Sequence, residues 1–170
     1  MGCNLLKTYT YNPCIANLGG IKNVWLAEYE EGVVKGEVGE DGLVSELETV
    51  TWYHFKMRKN VASMTSTLNN STDGASYVTT ELALVFSRMD AAKRASIQAL
   101  ALDELMAIVE DSNGELWLLG ADAPLVATAG AGETGTAMAD ANRYTITLTD
   151  EAKQFPYRLA DNLKPTDATE

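Results

Sequence analysis

Gly130-Ala131-Gly132-Glu133-Thr134-Gly135 matches the spacing GxGxxG. The chemistry of that pattern is the holding of a dinucleotide pyrophosphate on the amides of a helix N-terminus, so it needs a strand before the glycines and a helix after them. Here TAMADANRYTITL follows and leads through a turn into a strand, and the glycines read as a flexible loop. His54 is the only histidine, so any Ser-His-Asp or Cys-His device must use it. It stands beside Lys56 and Arg58 on the polar side of an alternating stretch, the position of a surface or interface residue. Asp111-Ser112-Asn113-Gly114-Glu115 echoes the start of a calcium loop, but Asp122 falls where the bidentate Glu belongs and a third acidic ligand is missing. Glu30 and Glu31, Asp103 and Glu104, and Glu110 and Asp111 are adjacent carboxylates, which point to opposite faces on a strand and cannot share a site. Cys3 and Cys14 have no CxxC spacing and no histidine near them, so they read as two reduced thiols rather than a zinc site or a bridge. No catalytic residue, metal site or cofactor is expected.

Composition narrows the function classes further. The chain has 170 residues, with 13 Lys and Arg against 24 Asp and Glu, a formal charge of −11. A protein that grips nucleic acid clusters its cations, so this balance argues against that role. With 46% apolar and 22% charged residues the chain is too hydrophobic for a disordered tail. Its apolar runs fall far short of the roughly 20 residues that span a membrane, and no membrane partner is expected. The start, Met1-Gly2-Cys3-Asn4-Leu5-Leu6, has Leu6 where myristoylation wants Ser or Thr, and no signal peptide pattern precedes Cys3.

The elements that must carry these residues are mostly strands. Residues 51–59, 77–88 and 143–149 alternate with period two: Tyr53, Phe55 and Met57, then Val78, Thr80, Leu82, Leu84 and Phe86, then Tyr144, Ile146 and Leu148 share one side each. Residues 22–29 and 61–68 read as strands of the same kind. Asp90 to Leu105 breaks the period: Ile97, Leu100, Ala101 and Leu105 fall on one helical face and Asp90 is placed to cap the first turn. A hairpin follows, turning at Asn113-Gly114, a pair that favours a type I′ turn; its strands are apolar on both faces and are expected between the helix and a sheet. Residues 30–50 contain four glycines and no convincing period, a long insertion or hairpin arm. Residues 120–142 read as a second loop. The expected fold class is mainly β, an antiparallel β-sandwich or barrel with one packed helix. It forms a single domain over 1–160, with an N-terminal arm at 1–20, an extended loop at 30–50, a helix at 90–105 and a C-terminal tail at 161–170.

Charge is distributed in blocks. Glu28, Glu30, Glu31, Glu37, Glu40, Asp41, Glu46 and Glu48 face Lys35 alone across residues 28–48. Asp103, Glu104, Glu110, Asp111, Glu115 and Asp122 form a second acidic run with no base. Lys56, Arg58 and Lys59 are the one basic cluster, suited to an acidic neighbour; the interleaved Tyr53 and Phe55 lie on the opposite face, so no stacking platform for bases is implied. Trp25, Trp52 and Trp117 read as core or interface residues.

Two stretches together carry a resemblance. AIVEDSNGELWLLG, with Asn113, Gly114, Trp117, Leu118, Leu119 and Gly120, is followed by ETGTAMADANRYTITLT, with Thr134, Gly135, Thr136, Ala137, Asp140, Asn142, Tyr144, Thr145, Thr147 and Leu148. Over about residues 90–150 this resembles the C-terminal half of tail tube-like proteins of tailed phages of Bacteroidetes-type hosts. Arg143 and Ala139 depart from the pattern at positions where glycine is common or usual. The resemblance implies a small β-sandwich or barrel, rings of six subunits, and rings stacked into a tube that conducts DNA, with no enzyme activity and no cofactor. The implied partners are further copies of the chain, other virion tail or neck proteins, and passing DNA that is not bound specifically. The implied place is the virion tail, assembled in the host cytoplasm. A tail terminator, a neck ring or a secretion-system tube protein shares that fold, and a ligand-binding or hydrolytic β domain is the reading from another class. On this view one acidic block faces a channel and repels DNA, or the acidic loops keep subunits soluble before assembly.

Overall fold

The two cleanest alternations in the sequence become neighbouring strands. In this computed structural model, which describes residues 8, 10–56, 58 and 61–166, β7 (Ser76–Ser87) pairs antiparallel with β11 (Arg143–Ala152) from Arg143↔Ser87 to Ala152↔Val78. β6 (Ser63–Asn70) flanks β7, and β10 (Val126–Glu133) flanks β11, giving a four-stranded sheet in the order β10-β11-β7-β6. A six-stranded sheet is built from β1 (Ile21–Glu28), β3 (Leu43–Val44), β5 (Tyr53–Phe55), β8 (Leu105–Asp111), β9 (Leu116–Leu119) and β12 (Tyr157–Leu159), in the order β3-β12-β9-β8-β1-β5. Its pairs are antiparallel except β12 with β3, which is parallel. β2 (Val34–Lys35) and β4 (Glu46–Leu47) make a small third sheet.

The two larger sheets form a β-sandwich. Val24, Leu26, Ala107, Val109 and Leu119 of the six-stranded sheet meet Leu82, Leu84, Ile146 and Leu148 of the four-stranded sheet in one core. The other face of the six-stranded sheet, Trp25, Ala27, Met106, Ile108, Leu116 and Leu118, is covered by Val33, Val44, Trp52, Leu159 and partly by Val34, Leu47 and Val50. The segment over 30–50 is therefore not free of structure: β2, β3 and β4 lie in it, and its valines roof the sheet. Strands of two residues are too short to show a period. This roof explains why β8 is buried on both faces, the pattern of a strand covered on two sides. The hairpin of β8 and β9 thus lies at the middle of the six-stranded sheet, between the four-stranded sheet and the roof, and not between the helix and a sheet.

The helix α1 runs Ala91–Leu100, shorter than the pattern over 90–105 suggests. Asp90 caps it, its side chain accepting from the Lys93 amide at 2.8 Å. Leu100 and Ile97 pack into the inter-sheet core. Leu105 leaves the helix because its backbone exchanges two hydrogen bonds with Leu125, at 3.0 and 2.9 Å, and joins the sheet. The turn after β8 also differs from expectation. Gly114 has φ of 90°, but Asn113 is not among the positive-φ residues, which excludes type I′. The Asp111 carboxylate instead accepts from the amides of Asn113 and Glu115 at 2.8 and 3.0 Å, and Gly114 N–H donates to Asp111 O. That is the geometry of a turn led by aspartate and closed by a left-handed glycine. Asn113 is used elsewhere: its side chain accepts from the Leu18 amide and donates to Asn17, fastening the N-terminal arm to the turn.

Candidate functional site

The feature most open to partners is the four-stranded sheet. Its two edges, β10 and β6, are each eight residues long, whereas the six-stranded sheet ends on β3 and β5, of two and three residues. Sheet edges expose unpaired amides and carbonyls, and proteins that must not pair there shorten them or place Lys or Pro on them. β6 (SMTSTLNN) has no charge and no proline, and β10 (VATAGAGE) has only Glu133. Three antiparallel pairings separate β10 from β6, so the two edges run in opposite directions.

Gly130 and Gly132, part of the GxGxxG spacing, lie within β10, opposite Ile146 and Tyr144. Residues 126–133 are therefore strand, not the loop expected over 120–142, and no helix follows them. Glycine and alanine hide a strand from pattern reading because they supply neither bulk nor alternation. The turn beyond is ordered by Asp140, whose Oδ2 accepts from the amides of Thr136 and Ala137, both at 2.7 Å, and from the Thr136 hydroxyl. Those bonds hold its carboxyl below the usual range, the Ala137 amide most.

The outward face of this sheet is small and hydroxyl-rich. Registers place Ala131 and Glu133 of β10, Arg143, Thr145, Thr147, Thr149 and Glu151 of β11, Glu81, Ala83 and Val85 of β7, and Ser63, Thr65 and Thr67 of β6 on it. Three carboxylates, Glu81, Glu133 and Glu151, stand with one guanidinium, Arg143, which bonds Glu133.

The sequence-selected charges lie elsewhere. Glu28, Glu30, Glu31, Glu37, Glu40, Asp41, Glu46 and Glu48 are all exposed. They belong to the end of β1 and to the roof, on the side of the six-stranded sheet away from the four-stranded one. Glu48 pairs with Lys35 at 2.7 Å, and that bond lowers its pKa. Lys56 and Arg58 are exposed beyond β5; Lys59, like Cys3 and Met57, lies outside the described residues. Cys14 is exposed. The second acidic run does not make one surface. Asp103 and Glu104 are exposed, but Glu110 is buried, Asp111 holds the turn and accepts from the Trp117 indole, and Glu115 pairs with Arg158.

Two buried carboxylates carry no mark in the sequence. Glu110, 5% exposed, accepts from Lys164 Nζ through both oxygens at 2.9 Å and from Asn23 Nδ2 at 2.5 Å. Burial pushes its pKa up, but the Asn23 and Lys164 bonds and the charges of Lys164 and Lys22 outweigh it, and the net shift is downward. Asn23 also receives His54, whose Nε2 stands 3.0 Å from its Oδ1 while the imidazole stacks on Trp25 at 5.0 Å. Asp150, also 5% exposed, links the sheets: on β11, it accepts from the amide of Gly120 at the end of β9 at 3.1 Å. Its Oδ1 has no partner. Burial raises its pKa, with the Asp122 charge adding to that and bonds from Gly120 and Thr80 opposing it. The adjoining cavity, of about 10 Å³, is lined by Thr80, Gly120, Asp122, Gln154 and Tyr157, among others. It has room for about one water-sized guest. Tyr157 donates to Asp122 at 2.9 Å, and burial together with that bond pushes its pKa up to about 12.

Among the described residues no group of three or more His, Cys, Asp or Glu side chains could hold a metal ion, and no helix is long and apolar enough to cross a membrane. No protein-family model, curated protein or solved structure matches the chain.

Proposed function

We propose that this chain is a virion structural protein, the tail tube subunit of a tailed phage, assembling into rings that stack into a DNA-conducting channel. The observation that carries the reading is the four-stranded sheet with two long, unprotected edges of opposite direction. When β6 of one copy lies beside β10 of the next in the same orientation, the antiparallel alternation continues without a break. Such a contact is head-to-tail, and head-to-tail contacts close into rings or extend as filaments. The motif resemblance over 90–150 supports the same reading.

In a ring joined this way the hydroxyl-rich face becomes one wall of a continuous sheet. Facing inward, its threonines, serines and alanines present little bulk apart from Tyr77 and Val85 of β7, and its carboxylates outnumber its one guanidinium. Phosphates pass such a wall without the clustered cations that would hold them. The acidic roof over 28–48 then lies on the far side of the subunit, where it serves solubility or contacts with neighbours.

Light scattering after size exclusion, with negative-stain imaging of the purified chain, tests the reading. Rings or tubes of one diameter are expected. Rings of fixed size that never stack would move the role to a terminator or neck ring. A chain that stays monomeric at high concentration, alone and with tail components, would remove it.

A further inference from the structure

We propose that Glu110, Asn23 and the ring of Trp25 form a lysine-ammonium site, filled here by the chain's own Lys164 and open to Lys164 of a second copy. The inference goes beyond the tube reading; the ammonium site stands without it, while the exchange rests on copies lying side by side.

The site is built rather than incidental. Glu110 is 5% exposed, and a carboxylate so buried needs a charged partner with hydrogen bonds to its remaining lone pairs. Asn23 fills one of those positions on Oε2. Asn23 is itself oriented by His54, so the carboxylate is held before any cation arrives. Lys164 Nζ meets both oxygens at 2.9 Å and lies 5.7 Å from the centre of the Trp25 ring. A carboxylate on one side and an indole face on the other recognise a compact ammonium group. Lys22 does not substitute: it stops at 3.9 Å and its side chain is 64% exposed.

The occupant arrives on a strap. After Ala160, whose amide donates to Val44 O, the chain makes one 3-10 turn, Asp161–Leu163, and then reaches Glu110. Leu163 rests on the outer cluster at Trp25 and Trp52. Among the described residues the charge on Lys164 is the strap's far anchor, and an identical strap from a neighbour carries the same lysine. Exchange of an identical element between copies costs little, because the contacts made are those given up. In the single chain the short tether gives the cis lysine a high effective concentration; copies held side by side give the trans lysine a comparable one.

Two experiments on full-length protein test this. Lys164→Ala lowers the melting temperature, and n-butylammonium, compared with sodium at equal ionic strength, restores most of the loss saturably. The double variant Glu110→Gln/Lys164→Ala shows no such restoration. If Lys164→Ala does not fold, Lys164→Gln takes its place. Failure of the amine to restore either variant overturns the site. For exchange, Lys164→Ala is mixed with Glu110→Gln, so that the only complete site joins an intact Glu110 to the other variant's strap. A mixed pair in native mass spectrometry and a raised melting temperature of the Lys164→Ala component are expected. Two components that melt as they do alone overturn the exchange.

Discussion

Asp150 holds an oxygen without a hydrogen-bond partner inside the seam between the sheets, and that makes it a source of pH dependence. Its folded-state pKa is raised, chiefly by burial. An acid raised on folding binds its proton more tightly in the folded chain, so stability is greatest below the unfolded pKa and falls as pH rises through the folded one. Asp122 and Tyr157 are the titratable groups that line the same cavity, and the Asp122 charge disfavours a second charge on Asp150. Asp150→Asn keeps an acceptor for the Gly120 amide and removes the buried charge. It is expected to stabilise the chain by about 1–3 kcal/mol at pH 8 and by less at pH 5. Thermal melts at the two pH values check this, and an equal effect at both would contradict it. Asp111 is a carboxylate whose hydrogen bonds hold the turn. Asp111→Ala leaves two amides of the turn and the Trp117 indole without their acceptor. A loss of about 1–3 kcal/mol is expected in denaturant titrations. At this scale the sequence was half legible. Asn113-Gly114 located the hairpin, but the side chain four positions before Glu115 decided the turn type. Glu110 reads only as part of an acidic run and Asp150 carries no signal at all, because their burial is set by strands distant in sequence.

Elements were legible in proportion to the bulk and length of their alternation. β7 and β11 show themselves through Leu82, Leu84, Ile146 and Leu148, every one buried. β10 does not, since small residues exposed along an edge leave no hydrophobic signal. The roof strands β2, β3 and β4 are two residues each and fall below any periodicity. The helix boundary was displaced by Leu105, which suits a helical face equally well but pairs with Leu125. The edge also supplies a prediction. Consecutive amides on β10 point alternately toward β11 and toward the open side. Of Gly130→Pro and Ala131→Pro, one therefore removes only an outward donor. That variant is expected to melt within a few degrees of the parent and to form no rings by light scattering, while the other is destabilised. If both fold and both form rings, assembly does not use this edge.

At the scale of the molecule there are three layers: roof, six-stranded sheet, four-stranded sheet. The sandwich could be read from the strands alone, but which face lies open could not, because that depends on where the roof folds. The acidic block that dominates the sequence sits on the roof, and the face proposed for the channel has the fewer charges. This predicts a gain of function by substitution. Tubes of the parent chain are expected to leave duplex DNA in the supernatant on sedimentation. Glu81→Lys with Thr147→Lys, both on the open face, should make tubes retain DNA, with retention lost between roughly 50 and 200 mM salt. Parent tubes that retain DNA equally well would contradict the weakly acidic wall.

The parallel pairing of Arg158 with Leu43 sets an order of events. β3 has no neighbour in its sheet other than β12, and β12 is the last strand among the described residues. During synthesis β3 therefore leaves the ribosome long before its pairing strand exists, and that pairing waits until residues 157–159 emerge. A contact closing so long a loop forms late and slowly. The β3 edge is thus the last part of the six-stranded sheet to be completed.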